Sequence, residues 1–179
     1  METYRVQIAE LLDSLGTSTV VSDSFTLPSL DVGDEHFEMR GPVTFEVTVT
    51  NTGTAVVAYG RVSAPVTAQC RRCLCEFPTI IESDVEGFYV YPDSDDDIGE
   101  EQDVEYIDTD GVIDLMPALM GAIVLEAPFA PLHDENCAGI CGGCGTDLNV
   151  AACTCGADSD EDHPFAALRS LVSEDGTGS

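Results

Sequence analysis

The sequence contains no lysine and no tryptophan, and only six basic residues, all arginine, among 179. Acidic side chains number 34, so the formal net charge is −28. A broad nucleic-acid-binding face needs many cations against phosphate, and this chain lacks them. Long apolar runs are missing too. The longest, Leu115 to Leu125, is eleven residues with Pro117 and Gly121 inside it, whereas a membrane-spanning helix needs about 20. The opening Met1-Glu2-Thr3-Tyr4-Arg5 has no basic region followed by an apolar stretch, so no targeting segment is read. The expectation is a cytoplasmic protein with no membrane contact. Also absent are H-E-x-x-H, G-x-S-x-G, a phosphate-binding loop and a dinucleotide fingerprint. Without them neither an enzyme nor a small-molecule substrate is expected.

What is present is enough for a folded core. The hydrophobic fraction is 44%, near the globular norm despite the charge. The length suits one domain with an appendage, or two small ones.

Tyr4, Val6 and Ile8 alternate as in a strand, and Ile8, Leu11, Leu12 and Leu15 follow helical spacing up to Gly16. Residues 17–35 read as polar and turn-rich, with a weak strand signal at Thr19–Val21. Between 43 and 90 the pattern is β. Val43, Phe45, Val47 and Val49 alternate with Thr44, Glu46, Thr48 and Thr50. Asn51-Thr52-Gly53 reads as a turn and Ala55–Tyr59 as the next strand. Gly60 and Pro65 punctuate a third segment, and Pro78–Tyr91 is a fourth. This is an antiparallel meander, expected to be barrel-like. Asp114 can cap a helix from Leu115 to about Glu126 with Pro117 in its first turn. Leu115, Leu119, Ala122 and Ile123 would face the core. A closing helix near Asp162 carries Phe165, Leu168, Leu171 and Val172 as an apolar stripe. Positions 93–105 hold eight acidic residues. A calcium loop starting at Asp93 fails there, because Ile98 stands where glycine is needed and Val104 where glutamate is needed.

The eight cysteines have ligand-like spacing. Cys70-Arg71-Arg72-Cys73 and Cys141-Gly142-Gly143-Cys144 are C-x2-C, and Cys153-Thr154-Cys155 is C-x-C. A C-x2-C turn converges two sulfurs on one side of a tight loop, which suits tetrahedral zinc. Cys141, Cys144, Cys153 and Cys155 form one self-contained set. Cys70 and Cys73 then need two more ligands, and His133 with Cys137 can supply them, pinning the tail onto the meander. That arrangement leaves Cys75 as a small filler. A single mixed site, such as Cys70 and Cys73 with Cys141 and Cys144, is the alternative, and reduced thiols or disulfide exchange a third. His36 reads as exposed, and His163 as a polar residue in the first turn of the closing helix.

Several of these segments together resemble the YceD-like family, the large ribosomal RNA subunit accumulation proteins, over roughly residues 40–172. The marks are Cys70-Arg71-Arg72-Cys73-Leu74, then Phe77, Ile113-Asp114-Leu115 with its apolar helix, and Pro128–Pro131. Further marks are the run from Cys137 to Asn149 and Pro164-Phe165-Ala166-Ala167-Leu168. The resemblance implies a non-enzymatic role in accumulation or maturation of large-subunit ribosomal RNA. Its relatives carry cysteine or histidine at the place of His133, and both side chains ligate zinc. The implied partners are ribosomal precursor particles or a basic large-subunit ribosomal protein, which a strongly acidic chain would complement. Arg71 and Arg72 are candidates for RNA or partner contact.

The expected architecture is therefore α+β. A β-rich core spans 1–131, with its helix near 115–126, and a cysteine-rich zinc-binding tail spans 132–179. An acidic zinc-stabilised adaptor unrelated to ribosomes and a thiol redox protein are the competing functions. A third view makes the acidity an adaptation to a high-salt host.

Overall fold

A computed structural model describes residues 3–91 and 105–155. The chain divides into two compact units, Met1–Cys70 with Cys75–His133, and Arg71–Leu74 with Asp134–Ser179. The acidic segment 92–104, His163 and the expected closing helix lie outside the described residues.

The first unit opens with β1 (Arg5–Gln7) and the single-turn α1 (Ala9–Leu12), followed by β2 (Ser18–Phe25), β3 (Ser29–Val32) and β4 (Glu35–Met39). Three long strands succeed them: β5 (Val43–Asn51), β6 (Ala55–Gln69) and β7 (Glu76–Val90). Short β8 (Glu105–Tyr106) and β9 (Val112–Asp114) lead into α2 (Met116–Glu126). In the main sheet β5, β6 and β7 pair antiparallel in chain order, and β2 pairs with the far side of β5. The β3–β4 hairpin joins the end of β6.

Alternation explains this sheet. Val43, Phe45, Val47 and Val49 of β5 are buried, as are Val56, Ala58, Val62, Ala64 and Val66 of β6 and Ile81, Val85 and Tyr89 of β7. Successive side chains of a strand point to opposite faces, so one face is apolar throughout. Helix α2 packs against β7 and β6 and buries Leu119, Ala122 and Ile123, with Leu115 just before it. Each fully buried Leu or Ile contributes roughly 1.5–3 kcal/mol. Asp114 prepares the helix: its Oδ1 accepts from the Met116 amide at 3.0 Å and from the Tyr4 amide at 2.7 Å. One carboxylate thus satisfies an orphan helix donor and fastens β1, which pairs with β9.

Three expectations need correction. The sheet is not closed into a barrel. Its flanking strands β2 and β7 do not pair with each other, and α2 already covers the apolar face that closure would have buried. Gly60 and Pro65 do not divide the third segment, for β6 is one continuous strand of 15 residues. A Cβ at Gly60 would run into the Glu46 carbonyl oxygen and lie 2.6 Å from Val47 Cα, so glycine is there to let two backbones approach. Pro65 falls between Ser63, the last β6 residue paired with β5, and Val66, which pairs with β4. Its carbonyl accepts from the Arg40 amide at 2.9 Å, and its missing donor interrupts no ladder. Finally, the turn-rich reading of 17–35 gives way to β2, β3 and the start of β4. Strand β2 is mostly exposed and so shows little alternation. The β3–β4 hairpin turns on Gly33-Asp34 with Gly33 at φ +61°, a two-residue loop of a type the sequence does signal.

Two polar pairings complete this unit. Buried Asn51 donates from Nδ2 to the carbonyls of Leu11, Leu12 and Ser14 at 3.0, 3.3 and 3.3 Å, and its Oδ1 accepts from the Gly53 amide. It closes the end of α1. Across β3 and β4, His36 Nδ1 lies 2.6 Å from Asp31 Oδ1, and that hydrogen bond raises the imidazole pKa above its usual value. Among the described residues no helix is long and apolar enough to cross a membrane.

Candidate metal centre

Strands β6 and β7 are joined by Cys70-Arg71-Arg72-Cys73-Leu74-Cys75. The Cys70 amide donates to the Cys75 carbonyl at 2.8 Å, which closes the connection into a knuckle. Leu74 takes the left-handed conformation at φ +62°, uncommon for a residue with a Cβ. The fold accepts that cost where the knuckle reverses the chain. Cys70 and Cys73 are both buried.

The ligand atoms of Cys70, Cys73, His133 and Cys137 all lie within 4.8 Å of one another. Cys137 is buried and His133 exposed. The imidazole of His133 stands edge-on to Phe77, with ring centroids 6.3 Å apart. Asn149 serves Cys137 directly, donating from Nδ2 to its Sγ at 3.4 Å, while Asn149 Oδ1 accepts from the Ala138 amide at 2.7 Å. An amide donor aimed at a ligand sulfur stabilises the thiolate form and orients it. Reading the cysteines alone missed Asn149. The signal for it was Asp147-Leu148-Asn149, where Asp147 Oδ1 accepts from both the backbone and the side-chain amide of Asn149.

The second group is local. The Cys141 amide donates to the Thr146 carbonyl and the Gly145 amide to the Cys141 carbonyl, both at 2.8 Å. Gly145 supplies the positive φ of +73° that this turn requires. Cys141, Cys144, Cys153 and Cys155 then place their sulfurs within 4.8 Å of one another. Cys153 Sγ is 3.2 Å from Cys141 Sγ and 3.5 Å from Cys144 Sγ. A tetrahedral ion with metal–sulfur bonds of about 2.3 Å sets its sulfurs about 3.8 Å apart, so the group fits one. The two C-x2-C pairs fall in different groups, which is not the mixed set of Cys70 and Cys73 with Cys141 and Cys144.

Crowding splits the four thiols in their acidity. Hydrogen bonding from Thr146 brings Cys144 down to about 6, and the bond with Cys153 lowers Cys141. Cys153, bonded to Cys141, is pushed up to about 12, and Cys155 is raised by its bond with Cys144. Cys153 and Cys155 thus hold their protons more tightly than Cys141 and Cys144 do. A divalent cation would displace those protons, because a coordinating thiol is deprotonated. Both clusters could hold a metal ion.

Arg71 and Arg72 are exposed. Arg72 is occupied by the chain itself, donating from Nη1 to the carbonyls of Glu135 and Cys137 at 3.0 Å each. Its own carbonyl accepts from the Ile140 amide at 3.1 Å.

The family described as Large ribosomal RNA subunit accumulation protein YceD matches residues 58–172. The chain belongs to that family. The YceD match takes in most of β6, all of β7 and α2, and the ligand atoms of both clusters. An uncharacterized protein of Mycobacterium leprae (strain TN) is 33% identical over 128 residues, covering 70% of this chain and 59% of that protein. Uncharacterized proteins of Mycobacterium bovis and Mycobacterium tuberculosis are each 32% identical over 103 residues, covering 58% of this chain and 50% of theirs. The chain thus spans between half and three-fifths of the length of these relatives. No solved structure matches.

Proposed function

We propose that this chain is a non-enzymatic, cytoplasmic factor that promotes accumulation or maturation of large-subunit ribosomal RNA by binding, with zinc as its structural metal. The observation that carries this reading is that the YceD match encloses both four-ligand groups. The family's printed description supplies the ribosomal role, and the donor chemistry supplies the metal.

Seven thiolates and one imidazole make a soft donor set, which suits zinc better than magnesium or calcium. A structural zinc takes four protein ligands, whereas a catalytic zinc takes three and leaves a position open. Each group offers four, which supports scaffolding over catalysis. Bound there, zinc would supply folding free energy, on the order of 10 kcal/mol per site in zinc-finger peptides. Asn149 would hold the Cys137 sulfur, and Thr146 would hold that of Cys144.

The charge of −28 supports a basic large-subunit ribosomal protein, or a precursor particle carrying one, as partner. At least four of the six arginines already have partners within the chain: Arg5 with Asp108, Arg61 with Asp84, Arg72 with two carbonyls, and Arg71 as well. Direct RNA contact through Arg71 and Arg72 would therefore involve few phosphates, and its salt dependence would be shallow.

The test is affinity capture of ribosomal precursors on the full chain, with and without ribonuclease, beside large-subunit RNA levels in depleted cells. Enrichment of large-subunit proteins that survives ribonuclease, with a fall in large-subunit RNA on depletion, is expected. Normal RNA levels and no ribosomal enrichment would sink the reading. Loss of every partner after ribonuclease would replace protein contact with RNA contact.

A further inference from the structure

Strand β7 is paired along its whole length with β6. Its register with β6 runs unbroken from Gln69↔Glu76 to Ala55↔Val90. On the other side, among the described residues, only Tyr89 and Val90 are paired, in parallel with β8. The Ile107 amide donates to the Val90 carbonyl at 2.9 Å, so that carbonyl faces the β8 side. Backbone groups alternate along a strand. The amides and carbonyls of Ile80, Glu82, Asp84, Glu86 and Phe88 therefore face the same open edge. Pro78 falls in the same phase, where a missing donor breaks no ladder bond.

Beside this edge, between β7 and α2, lies a groove of about 650 Å³. Ala118, Gly121 and Leu125 form part of its helix wall, and Asp84, Glu86 and Glu105 are among its polar residues. Among the described residues, no basic residue lines it. A Cβ at Gly121 would meet nothing within 4 Å, so the wall has a notch. On the outer face, exposed Glu82, Asp84 and Glu86 stand between Ile80, 58% exposed, and Phe88, 38% exposed. Arg61 pairs with Asp84 alone of these.

We propose that the open edge of β7 is a strand-addition site for an extended, cationic segment of a partner protein. An unpaired edge is a template for main-chain hydrogen bonds, and alternate side chains supply the specificity. An added strand would place one set of side chains beside Glu82, Asp84 and Glu86, and the other toward α2. Lysine or arginine suits the first set, and small or branched apolar residues the second. A second copy of this edge, added antiparallel about Asp84, would set carboxylate against carboxylate, which is destabilising. Segment 92–104, with seven acidic residues of its own, carries the same charge. An edge of this kind would serve whether or not a ribosomal particle is the cargo.

The experiment uses the zinc-replete full chain and a synthetic nine-residue peptide of alternating lysine and valine. Saturable one-to-one binding is expected, with hydrogen exchange slowed about tenfold or more at the amides of Ile80, Glu82, Asp84, Glu86 and Phe88. The peptide is also made with every second backbone amide methylated, in both phases. One phase should lose about tenfold or more in affinity at unchanged charge, and the other should keep it. Gly121→Leu, which fills the notch, should weaken binding with the melting temperature unchanged, and Glu82→Lys with Glu86→Lys should weaken it further. Equal binding by both methylated peptides would reduce the interaction to diffuse charge and overturn the proposal. Protection mapping elsewhere on the chain, or protection of the same amides by an oligoribonucleotide or by self-association, would overturn it as well.

Discussion

Arg72 Nη1 donates to the Cys137 carbonyl at 3.0 Å, so an arginine inside one C-x2-C knuckle holds the backbone of a cysteine far along the chain. The same nitrogen reaches the Glu135 carbonyl. Arg72→Ala leaves both carbonyls to water and should cost about 1–2 kcal/mol, since hydrogen bonds from a charged donor contribute roughly 1.5–3 kcal/mol and these are partly exposed. Arg72→Lys should recover part of this loss, because an ammonium keeps the charge and the donors on a shorter side chain. Urea titration of the zinc-replete protein reads both. An unchanged midpoint in Arg72→Ala would show that the contact carries no stability.

Zinc content distinguishes two ligand groups from one mixed site. Elemental analysis of gently purified protein should find two zinc ions per chain, one for each group. Cys137→Ser and Cys144→Ser should each lower this to one, and the double variant to none, with cooperative unfolding lost. One zinc in the native protein, retained by either single variant, would rule out the two-site arrangement.

The alkaline limit of stability should depend on two tyrosines. Tyr4 Oη donates to Asp23 Oδ2 at 2.6 Å, and this bond, helped by burial, lifts the phenol to about 12. Burial raises Tyr89 too, whose Oη donates to the Asp114 carbonyl at 3.1 Å. Both shifts favour the neutral phenol in the folded state. Their contribution is complete below the ordinary tyrosine pKa near 10 and fades as pH rises through the folded values. Ultraviolet titration should show these two phenols ionising above the ordinary tyrosine range, with Tyr89 released by unfolding. Tyr4→Phe should lower stability at neutral pH and flatten its fall above the ordinary tyrosine pKa near 10. Ionisation of Tyr4 and Tyr89 at the ordinary tyrosine pKa in the folded protein would refute the assignment.

Asn51 offers a test that the cysteines do not touch. Asn51→Ala strips the Leu11, Leu12 and Ser14 carbonyls of their donor. It should cost about 1–3 kcal/mol, the usual penalty for orphaned buried groups. Asn51→Asp should cost more, because a carboxylate would face three carbonyl oxygens without a donor. Gly60→Ala, which drives a methyl into the β5 backbone, belongs in the same denaturation series. It should exceed about 2 kcal/mol. Native-like midpoints in all three would contradict the packing described above.

Several parts of this molecule are legible without coordinates because they are local. Val43 to Val49 alternates, and alternation is what a one-sided strand does. Asp114 and Pro117 mark a helix start by chemistry that acts within three residues. The spacing of Cys141 and Cys144 announces a knuckle for the same reason. Short strands are another matter. Most of β2 is exposed, so no burial pattern betrays it, and Gly60 looks like a stop until the β5 backbone is seen beside it.

The charge, the one-sided strands and the thiol spacing are consequences of the sequence alone, since each depends on residue type and near neighbours. Which sulfurs share a group, that Asn149 attends Cys137, and that among the described residues most of the second edge of β7 is unpaired were decided by tertiary structure. Those outcomes depend on where two 15-residue strands deliver their ends and on which face α2 covers. No pattern within a few residues records the path of the chain between them.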